Sequence, residues 1–158
     1  MKYYLDCEFN GMGGELLSLA LVPEAGNPLY LIREDVPEDL DPWVAENVMP
    51  IMHADYRGHA KAPGRVLPLA AWAGEIESYL YGDIAVTIIA DWPDDIKYFC
   101  ELVITGPGKM IEVRPAINFE MVRVDAYPTE LVGAVQHNAY WDALALRNKL
   151  EAQPPTRV

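Results

Sequence analysis

An α/β domain built on a mixed β-sheet with helices on its faces is the fold class this sequence predicts, on three observations. The N-terminal stretch Lys2–Phe9 reads as a strand with two acids set among apolar and aromatic side chains. The run Ile84–Ala90 is short, rich in β-branched residues and closed by Asp91-Trp92-Pro93, the pattern of a strand buried on both faces. Near the C-terminus Ala139, Ala143, Leu146 and Leu150 recur at i, i+4, i+7 and i+11, one face of a helix.

Taken in order, the strand Lys2–Phe9 is followed by a hairpin of Glu15–Val22 and Leu29–Arg33 that turns at Ala25-Gly26-Asn27-Pro28. Gly11-Met12-Gly13-Gly14 lacks the Gly-Lys-Ser/Thr ending of a phosphate-binding loop and leads into a strand, so it reads as a hairpin turn. Helices are expected near Pro42–Met52 and over Leu67–Leu80. After Ile84–Ala90, Pro93 suits a first helical turn, and Ile96, Phe99, Cys100 and Val103 carry a helix over Asp94–Ile104. A strand follows around Met110–Val113, Asn118–Thr129 gives no clear pattern, and Ala139–Leu150 is the last helix. Three strands, a helix, then alternating strands and helices make a mixed sheet with helices on its faces. With half of its 158 residues apolar, the chain suffices for one core: a single domain over residues 1–152 and a loose tail at 153–158.

The acids carry the chemistry. Successive side chains of a strand point to opposite faces, so Asp6 and Glu8 project together while Cys7 turns toward the core. A D-x-E tripeptide alone is a weak signal, but these two lie among Tyr3, Tyr4, Leu5 and Phe9, and no Lys or Arg follows them before Arg33. Unpaired charge there is costly without a cation. Carboxylate pairs suit Mg²⁺ or Mn²⁺, which prefer oxygen ligands. Asp94 and Asp95 fall in the first turn of a helix just beyond a central strand, where acids also complement the helix dipole. Asp95 shares the buried stripe with Phe99; Asp94 and Asp91 remain alternatives. Asp142 flanks the apolar face of the last helix, and His137 stands just before it, placed to act as a general base near neutral pH. Read alone, that segment is equally a loop histidine and a helix-start acid.

Together, Asp6 and Glu8, then Asp95 with Tyr98 and Phe99 three and four residues on, then His137 and Asp142 as H-x4-D, stand in one order along nearly the whole chain. In this the chain resembles the DEDDh group of 3′→5′ exonucleases, whose fold is ribonuclease H-like. The Tyr-Tyr-Leu-Asp-Cys-Glu-Phe start, the segment Glu15-Leu16-Leu17-Ser18-Leu19-Ala20 and the His-Asn-Ala-x-x-Asp-Ala ending look most like small bacterial exoribonucleases related to the mycobacterial poly(A)-degrading enzyme. The resemblance implies two Mg²⁺ or Mn²⁺ ions held by Asp6, Glu8, Asp95 and Asp142, His137 as base, single-stranded RNA trimmed from its 3′ end, and a homodimer. Many relatives carry Asn four residues before the second-motif Asp, where this chain has Asp91. Glu15, Leu16 and Met12 are expected to meet the terminal nucleotide, with Glu15 accepting a hydrogen bond from an adenine amino group.

A formal charge of −12 argues against broad, high-affinity nucleic-acid binding, which relies on phosphate neutralisation, but not against an enzyme that grips a 3′ end. Arg57, Lys61 and Arg65, with His53 and His59, form a candidate RNA-guiding loop, or an ordinary solvated connection. Cys7 and Cys100, both on predicted buried faces, imply neither a disulfide framework nor a zinc cluster and suit a reducing cytoplasm. No 18-residue apolar run and no leader pattern is present, so no membrane association is expected. The motifs leave a 3′→5′ DNA exonuclease open, because the choice of RNA rests on 2′-hydroxyl contacts that spacing does not show. A catalytically inactive binding module of the same fold is disfavoured, since all five positions are filled.

Overall fold

The computed structural model describes residues 1–53, 64–113 and 116–152. Strands β1 (Lys2–Phe9), β2 (Leu16–Pro23) and β3 (Leu29–Arg33) run as an antiparallel meander. Helices α1 (Pro42–Asn47) and α2 (Met49–Met52) follow, then β4 (Gly64–Leu67), a 3₁₀ turn at Leu69–Ala71 and α3 (Trp72–Leu80). Next come β5 (Val86–Ala90), α4 (Pro93–Val103), the small hairpin of β6 (Ile104–Gly106) and β7 (Lys109–Met110), then β8 (Ile117–Met121) and α5 (Ala139–Glu151). Six strands form one sheet in the order β4-β3-β2-β1-β5-β8. Because β4 runs parallel to β3, and β5 parallel to both β1 and β8, the sheet is mixed.

Alternation along β1 divides the core in two. Tyr3, Leu5 and Cys7 join Trp72, Ile76 and Leu80 of α3 and Phe99 and Val103 of α4 on one face. Tyr4 joins Val44, Val48 and Met52 on the other, together with Ala139, Ala143 and Leu146 of α5. Asp6 and Glu8 have the parity of Tyr4, so they continue the α5 face. Cys7 is buried, Cys100 is half-buried, and both are free thiols. No helix of the described residues is long and apolar enough to cross a membrane.

Several expected boundaries move. The helix expected over Leu67–Leu80 begins at Trp72, because Gly64–Leu67 pairs with β3 and Pro68, with ψ at 141°, breaks the helical path before the 3₁₀ turn. The helix expected over Pro42–Met52 is split at Val48, with Pro50 in the first turn of α2. The segment expected as a strand at Met110–Val113 contributes just Lys109–Met110, paired with β6 outside the main sheet. The edge strand on that side is β8, whose largely exposed residues hide the alternation that marks a half-buried strand. Ile84 lies before β5 and is exposed. The tail at 153–158 lies outside the described residues.

Trp72 is fully buried, and its indole N–H donates to the Leu67 carbonyl at 3.1 Å. Trp72→Ala is expected to cost about 3–5 kcal/mol of stability, measured as a lowered urea midpoint with an unchanged slope.

Candidate active site

The register of the sheet opens a gap beside β1. Its parallel pairing with β5 covers Lys2 to Tyr4, opposite Thr87 to Ile89, and β5 ends at Ala90. Beyond Tyr4, therefore, β1 runs past its neighbour with one edge unpaired. The N-terminus of α4 occupies that edge: the Cys7 N–H donates to Asp95 Oδ1 at 3.2 Å, a side chain standing in for a strand. Clefts at the carboxyl ends of parallel strands are where α/β sheets place ligands.

Acids from separate elements converge here. Ligand atoms of Asp6, Glu8 and Asp142 lie within 4.8 Å of one another, as do those of Asp6, Asp91 and Asp95. Asp6 belongs to both groups. Asp142 comes from the first turn of α5, whose start is fixed by Asn138: its side chain caps Trp141 N–H and donates to the Ile51 carbonyl at 2.9 Å, while its N–H donates to Asp142 Oδ2 at 3.0 Å. Asp95 is 1% exposed, and its Oδ2 is buried with no hydrogen-bond partner.

The structure thus brings together Asp6, Glu8, Asp95 and Asp142, the four expected acids, and adds Asp91. Asp94 is in neither group; its carboxylate accepts from the Trp92 indole N–H at 3.1 Å. Asp95 is the ligand expected from this junction, with Asp94 and Asp91 as the alternatives, and the fold draws in both Asp95 and Asp91. The signal for Asp91 was its position four residues before Asp95 at the strand-to-helix junction. His137 lies just before α5 in the left-handed region, φ 60°, and its imidazole meets the Trp43 ring edge-on with centroids 4.9 Å apart. It belongs to neither acidic group, and partial burial lowers its pKa.

On the α3 and α4 side of the sheet lies a cavity of about 720 Å³ lined by Gly14, Glu15, Leu16, Arg33, Lys97 and Tyr98 among others, with none of the five acids in its lining. Tyr98 stands one turn after Asp95 on α4, and its hydroxyl donates to the Gly14 carbonyl, tying the cavity to the β1–β2 turn. A Cβ on Gly14 would come 1.8 Å from the Asn10 carbonyl oxygen, so no other residue fits there without moving the turn. Glu15 is held below the usual carboxylate range by its own backbone N–H and by the Asn10 amide. Leu16 is buried at the wall, while Met12 is fully exposed and does not line the cavity. Arg65, on the edge strand β4, pairs with Glu75 and is separated from β1 by two strands. Arg57, Lys61 and His59 lie outside the described residues.

Burial and mutual repulsion push the acids up. Asp6 and Glu8 rise well above the ordinary value, first from burial and then from neighbouring carboxylates. Burial, opposed by the Cys7 N–H, raises Asp95 to about 8; burial, opposed by the Asn138 and His137 backbone N–H groups, raises Asp142 to about 7. None of the ion pairs among the described residues involves these acids. An all-oxygen set with an unpartnered buried Oδ2 fits a hard divalent cation such as Mg²⁺ or Mn²⁺.

Because these carboxyl groups titrate higher when folded than unfolded, the metal-free folded state holds protons that the unfolded chain has released. Stability in EDTA is therefore expected to fall as pH rises from about 4 toward about 8, and Mn²⁺ to raise Tm more at pH 8 than at pH 6. Thermal scans across pH check this; Asp6→Asn should flatten both trends. Comparison with protein-family models and with curated proteins gives no match.

Proposed function

We propose that the protein is a two-metal-ion 3′→5′ exoribonuclease of ribonuclease H-like fold, hydrolysing single-stranded RNA from its 3′ end to mononucleotides and working as a cytoplasmic homodimer. The observation that carries this reading is the pair of carboxylate triads sharing Asp6. Their order along the chain, with His137 preceding Asp142, is that of the DEDDh exonucleases.

Asp6, Glu8, Asp95 and Asp142 would hold the ions. Such a pair supplies an activated water and neutralises charge developing on the phosphate and the leaving 3′ oxygen. The cavity beside α4 suits the terminal nucleotide: Leu16 and the Tyr98 ring give an apolar and aromatic wall for a base, and ionised Glu15 gives an acceptor for an exocyclic amine. Lys97, over the Tyr98 ring at 4.4 Å and paired with Glu101, and Arg33, paired with Asp35, bring positive charge to the lining. His137, just ahead of Asp142, is the group to receive the proton of the attacking water. His137, in a left-handed turn, stands one residue before the Asn138 cap of α5.

Release of mononucleotides from 3′-labelled oligomers in Mn²⁺ tests the reading. Asp6→Asn and Asp142→Asn should abolish it, and excess EDTA should do the same; equal activity in wild type and Asp6→Asn would overturn it. RNA and DNA oligomers run side by side decide the substrate class, with faster DNA cleavage pointing to a deoxyribonuclease. Among A, C, U and G tails, Glu15→Ala should narrow an adenine preference worth at most about 1–3 kcal/mol.

A positioned base contributes about 10²–10⁴ in rate, so His137→Ala should lose that much kcat while keeping its metal. The useful form of the imidazole is neutral, and burial lowers its pKa. Wild-type activity should therefore fall only below the ordinary histidine value of about 6.5, and the acidic limb of the pH–rate profile assigned to His137 should disappear in the variant.

A further inference from the structure

Asp91 sits one residue past β5 and four before Asp95, with a carboxylate oxygen within 4.8 Å of ligand atoms of both Asp6 and Asp95. A second observation points to a ligand at the same place. Asp95 is 1% exposed, one of its oxygens is satisfied by the Cys7 N–H, and the other is buried with no donor. Leaving a buried carboxylate oxygen unsatisfied costs free energy, and a cation shared with Asp6 and Asp91 would remove that cost.

The junction is also anchored from outside. Arg123 donates through Nη1 to the Asp91 backbone carbonyl at 2.6 Å, and its guanidinium lies over the Trp92 ring at 5.0 Å. The arginine thus grips the main chain of Asp91 and the neighbouring indole, and forms no ion pair with the Asp91 carboxylate among the described residues.

We propose that Asp91 is a direct ligand, so that one divalent ion is held by Asp6, Asp91 and Asp95 and the other by Asp6, Glu8 and Asp142. This rests on the two-metal reading above and deepens it by giving each ion three protein carboxylates. With three protein carboxylates as anchors, water can fill the remaining positions of each ion without a substrate phosphate. The free protein therefore binds two ions.

Titration of the RNA-free protein with Mn²⁺, followed by calorimetry and by the loss of the free-ion electron paramagnetic resonance signal, tests this. Wild type should bind two Mn²⁺ per chain. Asp91→Asn should weaken one of them at least about tenfold, the scale of loss seen when a metal site is disturbed even at its outer partners. Asp94→Asn, in the first turn of α4 and paired with Trp92, should leave both unchanged. Two Mn²⁺ bound with unaltered affinities by Asp91→Asn would overturn the assignment while leaving the two-metal reading intact; a wild type that binds one would overturn it as well. A wild type that binds none removes the two-metal reading and this inference with it. Should Asp91→Asn fail to fold, anomalous density in Mn²⁺-soaked wild-type crystals decides: an ion at coordinating distance from the Asp91 carboxylate supports the assignment, and an ion that Asp91 does not touch defeats it.

Discussion

Five carboxylates crowd the end of a central strand where no ion pair of the described residues offsets them. Like charges at such separations, partly removed from water, repel strongly, and each acid either binds a proton or shares a cation. The rest of the fold holds that arrangement together. The sheet buries Leu5, Leu19 and Leu21 beneath it, and helices on both faces bring Asp95 and Asp142 to Asp6 from opposite sides. A cation bound by the folded chain alone would relieve that repulsion and add to the stability of the fold.

The overhang of β1 past β5 is what creates room for this. Had the parallel pairing continued, the Cys7 N–H would meet a strand carbonyl and Asp95 would have no place at the edge. Ending β5 at Ala90, followed by Pro93 at the first helical turn, exchanges one ladder bond for a side-chain bond from α4. The exchange locks Asp95 while leaving its second oxygen buried without a donor.

A polar hub on the other flank connects the cavity to the helices. Asn10 bonds the Glu15 carbonyl through its N–H at 2.8 Å, and its side chain donates to Glu15 and to the Asp39 carbonyl while accepting from Asp41 N–H at 2.7 Å. Asp41 in turn caps α1, which carries Trp43 against His137. The β1–β2 turn, the cavity wall and the histidine are thereby joined through one chain of contacts.

Local periodicity was enough to place the acids on their elements. The parity of Asp6 and Glu8, the spacing of Asp95 to Phe99 and the recurrence of Ala139, Ala143 and Leu146 are short-range patterns, and the strand β1 and the helices α4 and α5 follow them closely. A mixed sheet with helices on its faces was legible for the same reason. What no local pattern contains is which distant residues meet. That Asp91 joins Asp95 and Asp6, that Tyr98 closes the cavity onto Gly14, and that Arg65 is spent on Glu75 at a far edge depend on strand order and register. The edge strand β8 leaves no local pattern because its side chains are mostly exposed, and β4 is a strand ahead of α3 through its parallel pairing with β3, which lies elsewhere in the chain. Sequence determined which elements bear the acids and which faces they share; the tertiary structure decided their convergence, because contacts across the sheet are set by long-range pairing that no window of neighbouring residues encodes.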